Sequence, residues 1–217
     1  MTREEVTMNK EKHWSRFADD FEKRVYYVAG KETIEEIQAT LASCKLTGQV
    51  LELGCGNGTY SPVLAVNADM LYVTDISEQM VKRCRKCLND IKNTVIEQQD
   101  CTFLSYPDNS FDAIVMVNLL HIIANPAKAL KESYRVLKPG GKLVVISFST
   151  AGMTFIDKIK MAYRYFKVYG KPPSSSRRLT INSTGAMIKS ENFMVDKIRL
   201  LGSEVKAVYA CALSNKV

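Results

Sequence analysis

Short apolar runs alternate with helical patterns through the middle of the chain. Strands that alternate with helices are typical of a parallel sheet. Because the runs are almost continuously apolar, they also fit a sheet that helices cover on both faces. The pattern therefore predicts an α/β fold. The predicted strands are Val50–Leu53, Met70–Thr74, Val95–Gln98, Ala113–Val117 and Lys142–Ser147.

Helical patterns precede and interrupt these strands. Apolar residues recur at helical spacing over Asn9–Ala29, which predicts one amphipathic helix, and a second helix is predicted over Thr33–Cys44. Ser77 stands where it can cap the helix after the second strand. The run Lys138–Gly141 predicts the end of the helix before the fifth strand, with glycine in the left-handed conformation.

The last third of the chain has a looser pattern. It predicts two helices, Thr154–Tyr169 and Ser183–Glu191, separated by a loop rich in proline and serine. Two further strands follow, Val195–Leu201 and Val205–Leu213, joined through Gly202 and Ser203. Because the connection is so short, we expect these two strands to be antiparallel.

Length and composition are those of an ordinary globular domain. The chain has 217 residues, of which 46% are hydrophobic and 24% are charged, so disordered, collagen-like and disulfide-rich classes are excluded. The net charge of +7 is uneven, because residues 1–150 carry −1 and residues 151–217 carry +8. The positive charge therefore belongs to the last third of the chain.

Targeting signals are not recognisable in the sequence. Met1–Lys12 is rich in charged residues and lacks the apolar stretch of about 7–15 residues that a secretory signal needs. The best apolar run, Ala113–Ala124, is shorter than the roughly 20 residues of a membrane span. Six cysteines are scattered without the density of a secreted scaffold. We therefore expect a cytoplasmic protein with reduced thiols.

A glycine-rich turn is the strongest chemical signal. The strand Val50–Leu53 leads into glycines at positions 54, 56 and 58, and a helix follows. Glycines let the backbone approach a ligand closely, and the helix N-terminus favours negative charge. The common dinucleotide fingerprint would need glycine at position 59, where Thr59 stands. Taken alone, such a turn also fits any tight strand-to-helix connection.

Polar residues stand where the predicted strands end. Asp75 ends the second strand, and its carboxylate could either accept both hydroxyls of a ribose or cap the helix that starts at Ser77. Asp100 and Cys101 follow the third strand, and Asn118 ends the fourth. Open α/β sheets bind their ligands at this edge, so the strand ends together predict a nucleotide-type site.

With these motifs in this order, the chain resembles the class I S-adenosylmethionine-dependent methyltransferases of the small-molecule type. Within that family it looks most like the ubiquinone/menaquinone C-methyltransferase group. The resemblance implies a seven-stranded Rossmann-like sheet, mostly parallel with an antiparallel last strand, and helices on both faces. It is specific for fold and cofactor and much less specific for the substrate. The matching segments are residues 51–58, 74–77, 100, 107–112, 118–122 and 135–143.

S-adenosylmethionine is the cofactor that the resemblance implies. Asn118 would border the position of methyl transfer, and Glu52 would support the glycine loop from behind. No metal is implied. The implied cofactor contacts are Gly54, Cys55, Gly56, Asn57 and Gly58 for the methionine part, Asp75 for the ribose, and Ile76, Met80, Asp100 and Cys101 for the adenine.

His121 is the candidate catalytic residue, because it is the histidine nearest to the strand ends. A neutral imidazole could act as general base if the acceptor must lose a proton. The alternative is a histidine that packs in the fold and hydrogen-bonds to the backbone.

The N-terminal helix and a cysteine pair raise further candidates. In the family such a helix can cover the cofactor, and here it carries His13, with Tyr26 or Tyr27 as candidates to line the acceptor pocket. Burial is the simpler role for its apolar face, which includes Trp14 and Phe17. Cys84 and Cys87 share a helix face, but no other pair of cysteines or histidines completes a zinc site.

A basic segment runs from Lys158 to Arg178, with seven basic residues and no acidic one. It could close over an anionic acceptor, lie on an anionic membrane, or bind nucleic acid, and it could also be a lid with a solvated basic face. We rank the lid first, the membrane second and nucleic acid last. An apolar stripe accompanies the charges, formed by Phe155, Ile156, Ile159, Tyr163, Phe166 and Tyr169.

The expected whole is a single methyltransferase domain over residues 1–217. It would transfer a methyl group directly, in line, to a small-molecule acceptor, for which an anionic and a lipid-like molecule are the two candidates. One alternative is a methyltransferase of a quinone or lipid at a membrane surface, with contact through residues 154–178. Another is a regulatory module that binds S-adenosylmethionine without turnover. The expected parts are a helical cap (1–47), a cofactor-binding core (48–149), a basic insertion (150–182) and a C-terminal helix with the strand pair (183–217).

Overall fold

The computed structural model of the protein describes residues 14–216. One seven-stranded sheet organises these residues, in the strand order β3-β2-β1-β4-β5-β7-β6. The strands are β1 (Gln49–Leu53), β2 (Met70–Asp75), β3 (Thr94–Gln98), β4 (Phe111–Val117), β5 (Leu137–Ser149), β6 (Phe193–Leu201) and β7 (Lys206–Ser214).

Helices connect the strands and precede the first of them. None of the helices within residues 14–216 has the length and apolar character that crossing a bilayer requires. The helices are α1 (Phe21–Ala29), α2 (Lys31–Ser43), α3 (Ser61–Ala65), α4 (Glu78–Cys87), α5 (Pro126–Val136), α6 (Phe155–Tyr169) and α7 (Ile181–Ser190).

Strand directions follow from the connections. Strands β1 to β5 pair in parallel. Helices α3, α4 and α5 connect β1 to β2, β2 to β3 and β4 to β5, whereas residues 99–110 connect β3 to β4 without a helix. Strand β7 pairs antiparallel with β5 on one side and with β6 on the other. The prediction of a seven-stranded, mostly parallel sheet with an antiparallel last strand is therefore confirmed.

The core lies on both faces of the sheet, because alternate side chains of a strand point to opposite faces. Val50 and Val115 belong to the cluster on one face, whereas Leu51 and Ile114 belong to the cluster on the other, and all four are fully buried. Each such side chain contributes roughly 1.5–3 kcal/mol when it is removed from water. This two-sided burial explains why the central strands are almost continuously apolar.

Turns interrupt the predicted N-terminal helix, since Trp14 and Ser15 are helical and a separate helix follows the turns. The prediction of one helix over residues 9–29 is wrong in its extent, because α1 begins at Phe21 and residues 16–20 form turns, while residues 9–13 lie outside the described part. In these turns the amide of Phe17 donates to the carbonyl of Trp14, three residues back. Asp20 precedes α1, and its carboxylate accepts from Arg24 at 2.6 Å.

The helix before β5 also ends differently from the prediction. Helix α5 ends at Val136 and Leu137 is already extended, so the glycines of the run Lys138–Gly141 do not cap it. Leu137 pairs with Phe111 at the start of β4, and Lys138, the residue before Pro139, is disfavoured in the helical conformation. Gly140 has a φ of +69° within β5. The amine of Lys138 lies 2.8 Å from both carboxylate oxygens of Asp112 at the start of β4.

Candidate cofactor site

The glycine loop lies between the ends of two neighbouring parallel strands. The amides of Gly54 and Cys55 both donate to the carbonyl of Thr74 on β2, at 2.8 and 2.9 Å. Gly54, Gly56 and Gly58 have φ values of +71°, +57° and +91°. Since non-glycine residues rarely adopt these values, the loop depends on glycine and presents bare backbone at the sheet edge.

Asp75 connects this loop to the next helix. One carboxylate oxygen accepts from the amide of Gly56 and the other from the amide of Ser77, both at 2.9 Å. Ser77 in turn caps α4, because its hydroxyl accepts from the amide of Met80. The contact with Ser77 agrees with the capping alternative. A carboxylate oxygen can accept more than one hydrogen bond, so these two contacts do not by themselves exclude ligand hydroxyls.

A second carboxyl group lies behind the loop. Glu52 is 1% exposed, and the hydroxyl of Ser61 donates to it at 2.5 Å. Burial raises the pKa of Glu52 to about 7, with a further increase from the charge of Asp75 and an opposing effect of the Ser61 hydrogen bond. The Asp75 carboxylate gives this edge a negative potential, to which the ionised fraction of Glu52 adds, and this potential favours a cationic ligand.

The residues assigned to the adenine have different surroundings. One oxygen of Asp100 accepts from the amide and the hydroxyl of Thr102, at 2.9 and 2.7 Å, so this carboxylate stabilises a turn. Ile76, which follows β2, and Cys101, which follows Asp100, are both half-buried. Met80 is only 1% exposed. Of this group, Met80 is therefore the side chain with least surface for a ligand.

Asn118 fixes the end of β4 against β5. It has a φ of +56°, its amide donates to the carbonyl of Ile146 at 2.7 Å, and its side-chain oxygen accepts from the amide of Phe148 at 3.1 Å. A left-handed conformation at asparagine is uncommon and turns the chain sharply at this point. Asn118 thus shapes the edge next to the glycine loop, where Leu119 faces Gly54.

Several buried polar atoms at this end of the sheet have no hydrogen-bond partner within residues 14–216. Three of these atoms belong to residues that follow β1, β4 or β5, and the fourth belongs to a residue near the end of β5. Most buried polar groups in proteins are paired, so a group of unpaired ones requires an explanation such as a ligand. The atoms are Tyr60 Oη, His121 Nδ1, Ser147 Oγ and Thr150 Oγ1.

Comparison with known proteins decides the family. Residues 51–145 match the family described as methyltransferase domain. They form a class I S-adenosylmethionine-dependent methyltransferase domain. The match covers the glycine loop, Asp75, Asp100 and Asn118, and the resemblance seen in the sequence is confirmed.

Relatives of this methyltransferase domain include quinone-pathway proteins. A demethylmenaquinone methyltransferase from Clavibacter sepedonicus is 34% identical over 130 residues, which is 59% of this chain and 53% of that protein. A ubiquinone/menaquinone biosynthesis C-methyltransferase from Rickettsia akari is 32% identical over 170 residues, 73% of this chain and 64% of that protein. The chain thus spans about half to two thirds of the length of these curated relatives.

Solved structures agree on the fold. A methyltransferase dependent on S-adenosylmethionine from Aquifex aeolicus aligns with a TM-score of 0.65 and 22% identity. The alignment covers 88% of this chain and 98% of that one. At this identity the likeness shows the architecture of the methyltransferase domain and not its substrate.

Tyr60 is a candidate site residue that the sequence reasoning missed. It follows the glycine loop directly, is 6% exposed, and burial raises the pKa of its hydroxyl, with further contributions from Tyr26 and Glu52. Tyr26 therefore lies near this site, whereas Tyr27 is 42% exposed and faces the amine of Lys167. An aromatic residue two positions after the last glycine was the available signal.

His121 lies in the loop after β4 of the methyltransferase domain. Burial lowers the pKa of its imidazole to about 4, so the ring is neutral at pH 7. The ring meets that of Phe148 edge-on, with 6.5 Å between centroids. The His121 carbonyl accepts from the amide of Arg177, which attaches the loop before α7 to this segment. The surroundings are compatible with both alternatives, a base and a packed histidine.

The His121 pKa predicts how stability depends on pH. In the unfolded chain a histidine titrates near pH 6.5, so between about pH 4 and 6.5 the unfolded state binds a proton that the native state does not. His121 should therefore make the free energy of unfolding rise with pH in this window, by up to about 1.4 kcal/mol per pH unit. Denaturant titrations of wild type and His121→Gln should show the shallower slope in the variant. Equal slopes would contradict the buried, neutral imidazole.

The N-terminal segment lies across the glycine loop of the methyltransferase domain. The hydroxyls of Ser15 and Ser77 are 2.7 Å apart, and Asp19 pairs with Arg83 at 2.9 Å. The Phe21 ring is 3.1 Å from where a Cβ on Gly56 would stand. This segment thus covers the edge where the cofactor contacts are assigned, while His13 lies outside the described residues.

An aromatic cluster links this segment to α6. Tyr169 is buried and has ring contacts with Trp14, Phe17 and Phe21, at centroid distances of 5.2–6.4 Å. Phe17 is 8% exposed, so the expected burial of this face is confirmed for that residue. A surface cavity of about 800 Å³ adjoins the cluster. Its basic lining residues are Arg16, Arg24 and Lys171.

The cysteine pair is divided between core and surface. Cys84 is fully buried near Gly58, whereas Cys87 is exposed. Within residues 14–216, no group of three or more histidine, cysteine, aspartate or glutamate side chains could hold a metal ion.

Proposed function

We propose that residues 1–217 act as one S-adenosylmethionine-dependent methyltransferase domain whose acceptor is a quinone-type small molecule. The observation that carries this proposal is the bare glycine loop between β1 and β2, bordered by the carboxyl groups of Asp75 and Glu52. The family match over residues 51–145 and the names of the relatives support it.

The residues at the sheet edge fit the cofactor in shape and charge. The loop needs glycine for its packing, because a Cβ at Gly54 or Gly58 would come within 2.9 Å of the side chain of Leu119 or Cys84. Asp75 would hold the ribose hydroxyls, and Asp100 with Cys101 would bind the adenine edge. S-adenosylmethionine carries positive charge on its sulfonium and its amino group, which the negative potential of Asp75 and Glu52 attracts.

The cofactor, when bound, supplies a methyl group on a positively charged sulfur, and this sulfur is the leaving group, as a neutral thioether, when an acceptor lone pair or carbanion attacks the methyl carbon in line. The protein must orient the acceptor and exclude water. Asn118, Tyr60 and the buried end of β5 would form the walls of that position. If the acceptor is a ring carbon, one proton must leave it, and the neutral imidazole of His121 would accept that proton.

A quinone-type acceptor fits the names of the relatives and the surroundings of the site. The two curated relatives are named for demethylmenaquinone and for ubiquinone and menaquinone biosynthesis, and the second name specifies a C-methyltransferase. In this chain, the aromatic cluster around Tyr169 and the cavity beside it offer flat apolar surface next to basic side chains. Such surroundings suit an aromatic ring that carries ionisable oxygens.

The test is turnover with a defined acceptor. Purified protein is incubated with methyl-labelled S-adenosylmethionine and a short-chain demethylmenaquinol, and the products are identified by mass spectrometry. We expect the label on a ring carbon and one S-adenosylhomocysteine per methylated product. Label on an oxygen would contradict the assignment of a carbon as acceptor atom, whereas the proposal of methyl transfer would still be supported.

The non-catalytic alternative is tested in the same samples. Calorimetry shows whether the protein binds S-adenosylmethionine, and a metabolite extract replaces the quinol as a source of other acceptors. Binding without S-adenosylhomocysteine from either acceptor source would favour a regulatory module over an enzyme. If the protein shows neither binding nor turnover, the cofactor assignment itself is refuted.

A further inference from the structure

Helix α6 presents an apolar face to solvent. The sequence stripe here was expected to belong to a lid, and only Tyr169 of the stripe is buried. Aromatic and branched side chains are rarely left exposed in such number along one helix, and contiguous exposed apolar surface marks an interaction site. The exposed residues and their exposed fractions are Phe155 77%, Ile156 63%, Ile159 54%, Tyr163 65% and Phe166 66%.

The fold itself uses the other side of α6. Met161, Tyr165 and Val168 pack with the aromatic cluster or the main core, and Arg164 lies 3.9 Å from Glu204. The exposed residues recur at three- and four-residue spacing and so form one continuous face on the opposite side. We call this face, over residues 155–166, the α6 outer face.

Lysines border the α6 outer face. Lys160 and Lys167 are exposed on one side of it, and Lys158 lies on the other side. The one acidic residue of the helix, Asp157, belongs to the first turn and accepts from the hydroxyl of Thr154 at 2.6 Å. An apolar face flanked by lysines is the pattern of helices that lie in the surface of an anionic bilayer.

We propose that the α6 outer face docks on an anionic phospholipid membrane. The charges favour this occupant over a second copy of the chain, because two such faces in contact would bring lysines of like sign together. The aromatic and aliphatic side chains would enter the headgroup region, and the flanking lysines would meet lipid phosphates. The helix would lie in the plane of the membrane surface and not cross it.

Docking through the α6 outer face would place the membrane close to the cavity with the basic lining. Helix α6 ends at Tyr169, and Val168 to Ser174 form one wall of the cavity with the basic lining. A membrane held against α6 is therefore next to the cavity. If the proposed quinone acceptor is correct, a lipid-dissolved acceptor would reach this cavity from the membrane surface. Docking can be measured without cofactor or acceptor, so its failure and failure of the methyl transfer are separate results.

Vesicle flotation tests the proposal on the full chain. Vesicles of phosphatidylcholine alone are compared with vesicles that also contain phosphatidylglycerol. We expect at least about tenfold stronger binding to the anionic vesicles, and weaker binding as salt is raised. Phe155→Ser with Phe166→Ser should reduce this binding about tenfold or more. A matched control pair, Val66→Ser with Met194→Ser, removes apolar side chains that are 78% and 57% exposed elsewhere.

Each other outcome counts against the proposal. No binding, equal binding to both kinds of vesicle, or equal losses in the two variant pairs would overturn it. A dimer that the Phe155/Phe166 pair abolishes, seen by sedimentation without any vesicle binding, would assign the face to a second copy. Circular dichroism of both pairs checks that the fold is kept, and Lys160→Gln, with Lys86→Gln as its control, repeats the test through charge alone.

Discussion

Replacing Asp75 with alanine is expected to raise the dissociation constant for S-adenosylmethionine by about 10- to 150-fold. The carboxylate would lose its charge-assisted hydrogen bonds to the ribose, and one such bond contributes about 1.5–3 kcal/mol. The same change removes the acceptor of the Gly56 and Ser77 amides. The loop would therefore also lose its fixed position relative to α4, which adds to the loss. Isothermal titration calorimetry measures the affinity directly.

Two variants separate these contributions. Asp75→Asn keeps one acceptor oxygen and should give an intermediate affinity. Asp69→Ala removes an exposed carboxylate at the opposite end of β2 and should leave the affinity unchanged. Wild-type affinity in Asp75→Ala would contradict the assignment of Asp75 to the ribose.

Replacing Gly58 with alanine is expected to lower the free energy of unfolding by about 2–5 kcal/mol. A left-handed backbone at a non-glycine residue costs roughly 1–2 kcal/mol, and overpacking costs roughly 1–3 kcal/mol more. Both apply here, because φ is +91° and the new Cβ would stand 2.9 Å from the sulfur of buried Cys84. Urea titration followed by circular dichroism measures the change.

Two other glycines serve as controls. Gly140 has a φ of +69° and open space around a Cβ, so Gly140→Ala should show the backbone cost alone, about 1–2 kcal/mol. Gly185 lies inside α7 with ordinary room for a Cβ, so Gly185→Ala should stabilise the protein by about 0.5–1 kcal/mol. A Gly58→Ala protein as stable as wild type would show that the loop does not depend on glycine there.

The sheet and its ligand edge could be predicted because their causes are local in the sequence. Central strands such as Ala113–Val117 are apolar throughout, since both of their faces are buried, and this gives a strong signal. Asp75 and Asn118 end such strands, so their common edge follows from the parallel arrangement. The assignment of these residues to S-adenosylmethionine remains a prediction.

The flanking segments could not be predicted in the same way. Tyr169, 148 positions after Phe21 in the chain, has ring contacts on both sides of the break before Phe21, and no local pattern contains those contacts. The stripe over residues 155–166 has the periodicity of a buried face but lies in solvent. Periodicity shows that a helix has an apolar side, whereas only the tertiary structure shows what that side meets.

The place of β7 between β5 and β6 has a consequence for synthesis of the chain. A nascent polypeptide leaving the ribosome completes β6 before β7 exists, yet β6 pairs only with β7 in the described sheet. Until β7 has been synthesised, the edge of β5 therefore stays unpaired, and unpaired strand edges of a partly folded chain promote aggregation. When Lys206–Ser214 become available, β7 pairs with β5 on one side and with β6 on the other, and the open edge of β5 is covered.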